Sequence, residues 1–301
     1  MIKKNNLIKN TKGRKVMMII LISLILIFGS IILFWLLPGS LLKDKFKTLS
    51  KKDLIENSQK YSFLSNQIYS EEDIKELPIA IQKFFRITNL IGKPKIYVSH
   101  VVYKETNFKL SKDKPSLRIK YEHYNMLNHL NRIALIDTKL MGIPFDGLDR
   151  YENGKGSMHG MFGKVITVFN STGEEMDISS LVTCLSELVF LPTIALEDYI
   201  TWETIDENNA KATINYNNHI VSARFTTNSI GEIIKIETDD RYMDEGNGIS
   251  TKYKWIINLT DYIEENGIKH PSHAQAIWKL PEEDYIYFDG KGITIQYNVP
   301  V

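Results

Sequence analysis

Glu187 is the residue whose setting asks most of chemistry. It is the lone charge in LVTCLSELVFLPTIAL, residues 181–196. A carboxyl group in such a run can serve as an acid or base, pair with a buried cation, or mark the polar edge of a helix. At helical spacing Ser179, Thr183, Ser186 and Glu187 share one stripe, opposite Leu181, Leu185 and Leu188. If that stripe turns toward the interior, Glu187 needs a cation such as Arg150, Arg224 or Arg241. With Trp202 and Asp206, these residues form the candidate set for ligand binding or structural ion pairing. No catalytic role is assigned to any of them, because neither Glu187 nor Asp206 comes with a nucleophile–base constellation.

Other chemical patterns have plainer readings. GKGSMHG, residues 154–160, is Gly-rich but lies between expected strands and opens no helix, so it reads as a hairpin rather than a phosphate loop. His270 and His273 are three apart in an expected strand, which puts them on opposite faces. His123 and His129 have no third ligand nearby in sequence, so no metal and no cofactor is expected. DDRYMDEGNG, residues 239–248, lacks the ligand spacing of a calcium loop and reads as a solvated hairpin. Cys184 is the single cysteine, so no intrachain disulfide can form, and its apolar neighbours point to a buried thiol.

The elements that must position these residues follow from pattern. The 301 residues are 24% charged and 43% hydrophobic, a globular composition, and the net charge of +1 argues against nucleic acid as a partner. Residues 16–37, VMMIILISLILIFGSIILFWLL, carry no charge. At ~1.5 Å per residue they span ~33 Å, enough for a hydrocarbon core of ~30 Å. The expected organisation is a basic cytoplasmic tail at 1–15, a transmembrane helix at 16–37, a partly helical connector at 38–69, and an extracytoplasmic β-rich domain at 70–301. Six cations precede the span without an acid, which favours a cytoplasmic N-terminus and an uncleaved, single-pass anchor in the cell membrane.

Beyond the connector, Ser70 can cap a helix and Pro78 suits the first turn of a second. The period then changes from helical to alternating. Eleven segments rich in Ile, Val, Tyr, Phe and Thr follow, among them KIYVSHVVYK, SLRIKYEHY, LNRIALIDTKL and HIVSARF. Turn signals stand at Asn153-Gly154, Asn217-Asn218, Asn266-Gly267 and Asp289-Gly290. One helix interrupts the strands, starting near Asp177, Ser179 or Ser180 and running to about Phe190. The fold class is α+β, mainly β: an N-terminal transmembrane helix, then a curved, half-barrel-like antiparallel sheet with a few covering helices.

Several segments resemble an uncharacterised, often membrane-anchored bacterial domain-of-unknown-function family. They are LPIAIQKFFRITNLIGKP (77–94), GLDRYENGKGSM (147–158), CLSELVFLPTIAL (184–196), WETIDENNAKATI (202–214), FTTNSIGEIIKIETDDRY (225–242) and GIKHPSHAQAIW (267–278). The resemblance implies no established reaction, and it places Glu187, Pro192, Trp202, Asp206 and Arg241 within recurring motifs. The chain departs from it near the first strands, where Tyr103, Tyr121 and Tyr124 stand in place of tryptophans. The pattern F-x-x-N-x-x-G-E-I-I-K-I from Phe225 also resembles the hairpins of Lol-type lipoprotein carriers, which implies a half-barrel closed by helices around an apolar cavity.

Three functions are weighed. The first is a membrane-anchored extracytoplasmic domain that binds a lipid or other apolar ligand. The second is a structural or interaction domain with a filled core and no ligand. The third, least favoured, is a hydrolase using Glu187 or Asp206.

Overall fold

The computed structural model describes residues 2–246 and 248–300, with side chains from residue 13 onward. The chain divides into two compact units, Met1–Ser40 and Leu41–Val301. The first is dominated by α1 (Ile2–Leu36), which takes in the apolar run except its last residue, Leu37. It is long and apolar enough to cross a membrane, and none of its apolar window is buried by protein.

The second unit begins with α2 (Leu41–Tyr61), in the stretch read as a connector. Leu42 and Phe46 are buried, and so are Asp53 and Asn57, so this helix packs on the sheet as well as linking segments. Asn57 donates to the Tyr97 carbonyl at 3.0 Å and accepts from the Asn128 amide at 2.9 Å. Two short helices follow, α3 (Glu71–Ile74) and α4 (Ile79–Ile87). Ser70 and Asp73 form a reciprocal capping box at α3. Ile81, Phe84 and Phe85 put the apolar side of α4 into the core.

The strands are β1 (Val98–Phe108), β2 (Leu117–Met126), β3 (Arg132–Leu140), β4 (Ile143–Glu152), β5 (Lys155–Phe162), β6 (Ile166–Ser171), β7 (Ile200–Thr204), β8 (Asn209–Tyr216), β9 (His219–Thr227), β10 (Ile233–Thr238), β11 (Tyr242–Gly246), β12 (Ile249–Lys252), β13 (Lys254–Glu265), β14 (Ile268–Lys279) and β15 (Asp284–Tyr297). Thirteen of them form one antiparallel sheet in the order β6-β5-β4-β3-β2-β1-β15-β14-β13-β10-β9-β8-β7, and β11 and β12 pair separately. The two ends of the sheet, β6 and β7, do not pair with each other, so the sheet is an open half-barrel.

Helix α5 (Glu174–Ser186) shows how far the sheet curls. It touches both β5 and β9, which stand nine places apart in the sheet order. Laid flat, nine steps of ~4.8 Å would separate those strands by ~43 Å, whereas a helix with its side chains is only ~10–12 Å across. The sheet therefore wraps around α5, with Leu181, Val182, Leu185 and Leu188 fully buried. Helix α2 lies against the opposite, outer face, over β2, β3 and β4.

Local sequence explains most turns. Asn153-Gly154, Asn217-Asn218 and Asn266-Gly267 each have two consecutive positive φ angles, the geometry of two-residue hairpins. The fourth signal is corrected: Asp289-Gly290 lies inside β15, one continuous strand. Gly290 is needed there for close approach, since a Cβ at that position would sit 2.5 Å from Cδ1 of Tyr103. Strands β4 and β5 went unrecognised: Pro144, Asp146, Gly147 and Asp149 interrupt the alternation of β4, and GKGSMHG, expected to be a hairpin, runs in β5 from Lys155 onward with only Gly154 in the turn.

The interrupting helix also differs from expectation. It starts at Glu174 behind Gly173, and at Glu187 it gives way to a 3₁₀ turn, Glu187–Val189. The expected caps are engaged in tertiary contacts. Asp177 accepts from the Gly156 amide at 2.7 Å and from Lys155 at 2.8 Å, while the Ser179 hydroxyl accepts from the Tyr242 amide at 3.0 Å.

Candidate functional site: a buried ionic and aromatic cluster

Glu187 faces the inside of the curve. Its partner is Arg132, and none of Arg150, Arg224 or Arg241 takes that place. Arg132 opens β3 on the row shared with Asn125 of β2 and Tyr151 of β4. Its guanidinium, 3% exposed, donates from all three nitrogens: Nε to Glu187 at 2.8 Å, Nη1 to Asp149 at 2.7 Å and Nη2 to the Tyr121 hydroxyl at 2.7 Å. His123 of β2 lies beneath, fully buried, with Nε2 3.5 Å from the Glu187 carboxylate.

The electrostatics follow from burial and pairing. Burial alone would raise the Glu187 pKa, but the Arg132 charge and its hydrogen bond outweigh it and hold the carboxyl below its ordinary value. Burial opposes the Arg132 charge, yet Glu187, Tyr121 and Asp149 keep its pKa above the usual guanidinium range. For His123 burial wins and its pKa falls to about 4, so the imidazole is neutral at pH 7. Its contact with Glu187 is therefore not an ion pair near neutrality. Neither ring nitrogen of His123 has a hydrogen-bond partner among the described residues. The cluster holds two carboxylates to one guanidinium, and the surplus charge lies at Asp149, whose side chain is 24% exposed.

Rings surround this charge. Tyr103, Tyr121 and Phe288 contact one another with centroids 5.2–5.5 Å apart, and Tyr103, Tyr121 and Phe190 border His123 at 5.6–6.0 Å. Tyr103 is buried, while Tyr121 and Phe288 remain half-buried. Cys184 is buried nearby, and burial pushes its thiol pKa up, which keeps it protonated and inert.

The other sequence candidates are placed elsewhere. Arg241 donates to the Ser179 carbonyl at 2.6 Å and to the Thr183 hydroxyl, and it lies 4.4 Å from the Trp255 ring centroid. The polar stripe of α5 is thus divided, Ser179 and Thr183 serving Arg241 and Glu187 serving Arg132. Asp206 and Arg224 share Asn209 on an exposed side, and Trp202 donates to the Ala195 carbonyl at 2.9 Å. Arg150 points to the outer face, where it pairs with the buried Asp53 at 2.8 Å and with Glu152 at 2.9 Å. It borders a cleft of about 670 Å³ shared by Lys45 of α2, His159 of β5, Asp177 of α5 and His219 of β9.

Arg132, His123, Asp149 and Tyr121 were missed as a site. One signal was present: Arg132 stands directly before the apolar run of Ile133 to Ile136, where a charge needs a partner. His270 and His273 take different partners, Glu265 at 3.4 Å and Asp289 at 2.6 Å, and no cluster suited to a metal occurs among the described residues.

An open antiparallel half-barrel wrapped around a helix, with a buried arginine bonded through all three of its side-chain nitrogens, defines a β-rich domain. Residues 67–290 match DUF6544, a family of unknown function, and the chain belongs to that family. Two solved structures are similar. One is described as an outer-membrane lipoprotein-sorting protein domain from Vibrio parahaemolyticus, 8% identical, covering 74% of this chain and 93% of its own, with a TM-score of 0.41. The other is a LolA superfamily protein from Nitrosomonas europaea, 12% identical, covering 73% of this chain and 93% of its own, with a TM-score of 0.38. No curated protein matches the chain.

Proposed function

We propose that this protein is a membrane-tethered domain, held outside the cytoplasm by residues 16–37, that binds a lipid or other apolar ligand on the concave face of its sheet. The observation that carries the reading is the aromatic floor of Tyr103, Tyr121 and Phe288. It lies on that face, and Tyr121 and Phe288 stay half-buried after α5 has packed. Met158, also half-buried, extends the apolar surface over Gly147. The tether rests on the charge-free run within α1 and on the six cations ahead of it.

A second reading, an interaction domain without a ligand, is favoured by Arg132, whose three side-chain nitrogens each donate to a protein group. A hydrolytic role has less support. Glu187 is held ionised by Arg132, which removes it as a proton donor at neutral pH, and Asp206 is tied to Asn208 and Asn209 in an exposed turn. The deciding experiment is native mass spectrometry of the purified chain from residue 40 onward. Co-purifying lipid that is lost in a Tyr121→Asp, Phe288→Asp double variant supports ligand binding. Lipid-free protein that also takes up no added phospholipid or fatty acid overturns it.

A further inference from the structure

The end of the sheet nearest the start of α2 carries bare apolar side chains. Register places the β1–β2, β3–β4 and β5–β6 turns together there, since Phe108 faces Leu117, Leu140 faces Ile143, and Phe162 faces Ile166. Met141, at the tip of β3–β4, is fully exposed, and at the next tip Val165 is 64% and Ile166 59% exposed. Lys139 is exposed beside the β3–β4 tip, and the β1–β2 turn exposes Lys114 next to Asp113. Isolated exposed apolar residues are ordinary, but adjacent tips with flanking lysines form a patch suited to an anionic, partly apolar surface.

The chain itself says which surface lies close. Helix α1 ends at Leu36 and α2 begins at Leu41. Lys43, in the first turn of α2, bonds Asp137 of β3 at 2.8 Å. From Leu37 to Lys43 the chain reaches at most ~17 Å, taking ~3.5 Å per extended and ~1.5 Å per helical residue. From Asp137 to Met141, β3 and its turn extend ~14 Å in the strand direction. The connection is therefore short, and the membrane that α1 crosses is the surface within this end's reach.

The geometry points to a second, shallow membrane contact: the β3–β4 and β5–β6 tips dip Met141, Val165 and Ile166 into the outer leaflet of the membrane that α1 crosses. This rests on the anchor reading and goes beyond it. The tether alone would leave the domain free to swing, whereas tip insertion fixes its orientation and presents one end of the curled sheet to lipid.

The test uses the full chain in liposomes of phosphatidylglycerol and phosphatidylcholine, with an environment-sensitive fluorophore on single introduced cysteines. Cys184 is buried and stays unlabelled. The positions are Met141→Cys, Ile166→Cys, Asn153→Cys and, inside the span, Ile25→Cys. Asn153 is a matched control, exposed in a two-residue turn with positive φ at the other end of β4, ~33 Å away along the ten-residue strand. Expected are a blue shift and loss of emission to nitroxide lipids at Met141, Ile166 and Ile25, but not at Asn153. Quenching at Ile25 with none at Met141 and Ile166 overturns the tip contact and leaves the anchor standing. A blue shift at the tips without lipid quenching points to a second copy of the chain and also overturns it. No quenching at Ile25 overturns the anchor reading, and the inference with it.

Discussion

Replacing His123 with phenylalanine should remove a defined part of the protein's sensitivity to acid. His123 is fully buried, its pKa falls from 6.5 to about 4, and burial is the main cause. A group with a depressed folded pKa contributes stability above its unfolded pKa and loses it as pH falls toward the folded value. Between pH 6.5 and pH 4 the unfolded chain therefore binds more protons at this site, and stability falls with pH. The gap of 2.5 between those two values corresponds to about 3 kcal/mol at ~1.4 kcal/mol per pH unit.

Asp53 works in the opposite direction. Burial raises its pKa to about 6 despite Arg150, so its contribution is greatest at low pH and is lost as pH rises through 6. The raw profile of the wild type is thus partly cancelled, and the difference between variant and wild type is the quantity to read. Phenylalanine keeps the ring contacts with Tyr103, Tyr121 and Phe190 and removes two nitrogens that lack hydrogen-bond partners. His123→Phe should match wild type at pH 8 to within ~1.5 kcal/mol. It should then gain about 3 kcal/mol on wild type by pH 4, a melting-temperature gain of ~6–12 °C for a unit of this size. Urea unfolding of the chain from residue 40, followed by tryptophan fluorescence across pH 4–8, measures it. Parallel curves for the two proteins would refute the claim that the site keeps His123 neutral.

Two further substitutions probe the same region. Glu187→Gln leaves the buried Arg132 guanidinium with Asp149 as its one carboxylate, and should cost ~3–5 kcal/mol in urea unfolding. Adding Arg132→Met should recover part of that loss, and strict additivity of the two effects would count against a coupled pair. Gly290→Ala forces a methyl group against the Tyr103 ring and should cost ~1–3 kcal/mol by thermal melting, with partial recovery on adding Tyr103→Leu. An unchanged melting temperature for the single variant would mean that β15 yields at this point.

Features set by near neighbours were legible along the chain. A charge-free run longer than a bilayer core is helical and apolar whatever surrounds it, and α1 contains that run up to Leu36. Asn-Gly and Asn-Asn pairs between alternating segments make hairpins because few other residues accept two positive φ angles in a row, and three such turns formed where expected. The mainly β, antiparallel, open-sheet architecture followed from those signals. The same local signal misled at Asp289-Gly290, where the glycine answers a ring from β1, more than 180 residues earlier in the chain.

The partner of Glu187 emerged from packing across the sheet. The stripe of Ser179, Thr183, Ser186 and Glu187 was legible on one helix, but no spacing along the chain says which strand will lie across it. Arg132 reaches Glu187 across a separation of 55 positions because the sheet wraps α5 and brings the first residue of β3 to the end of that helix. Arg150, Arg224 and Arg241 were equal candidates in sequence, yet strand alternation turned Arg150 outward to Asp53 and left Arg224 on an exposed side. Periodicity records which side of its own element a residue occupies. The curvature of thirteen strands determines what that side meets, and it is set by their packing together and not by any one segment.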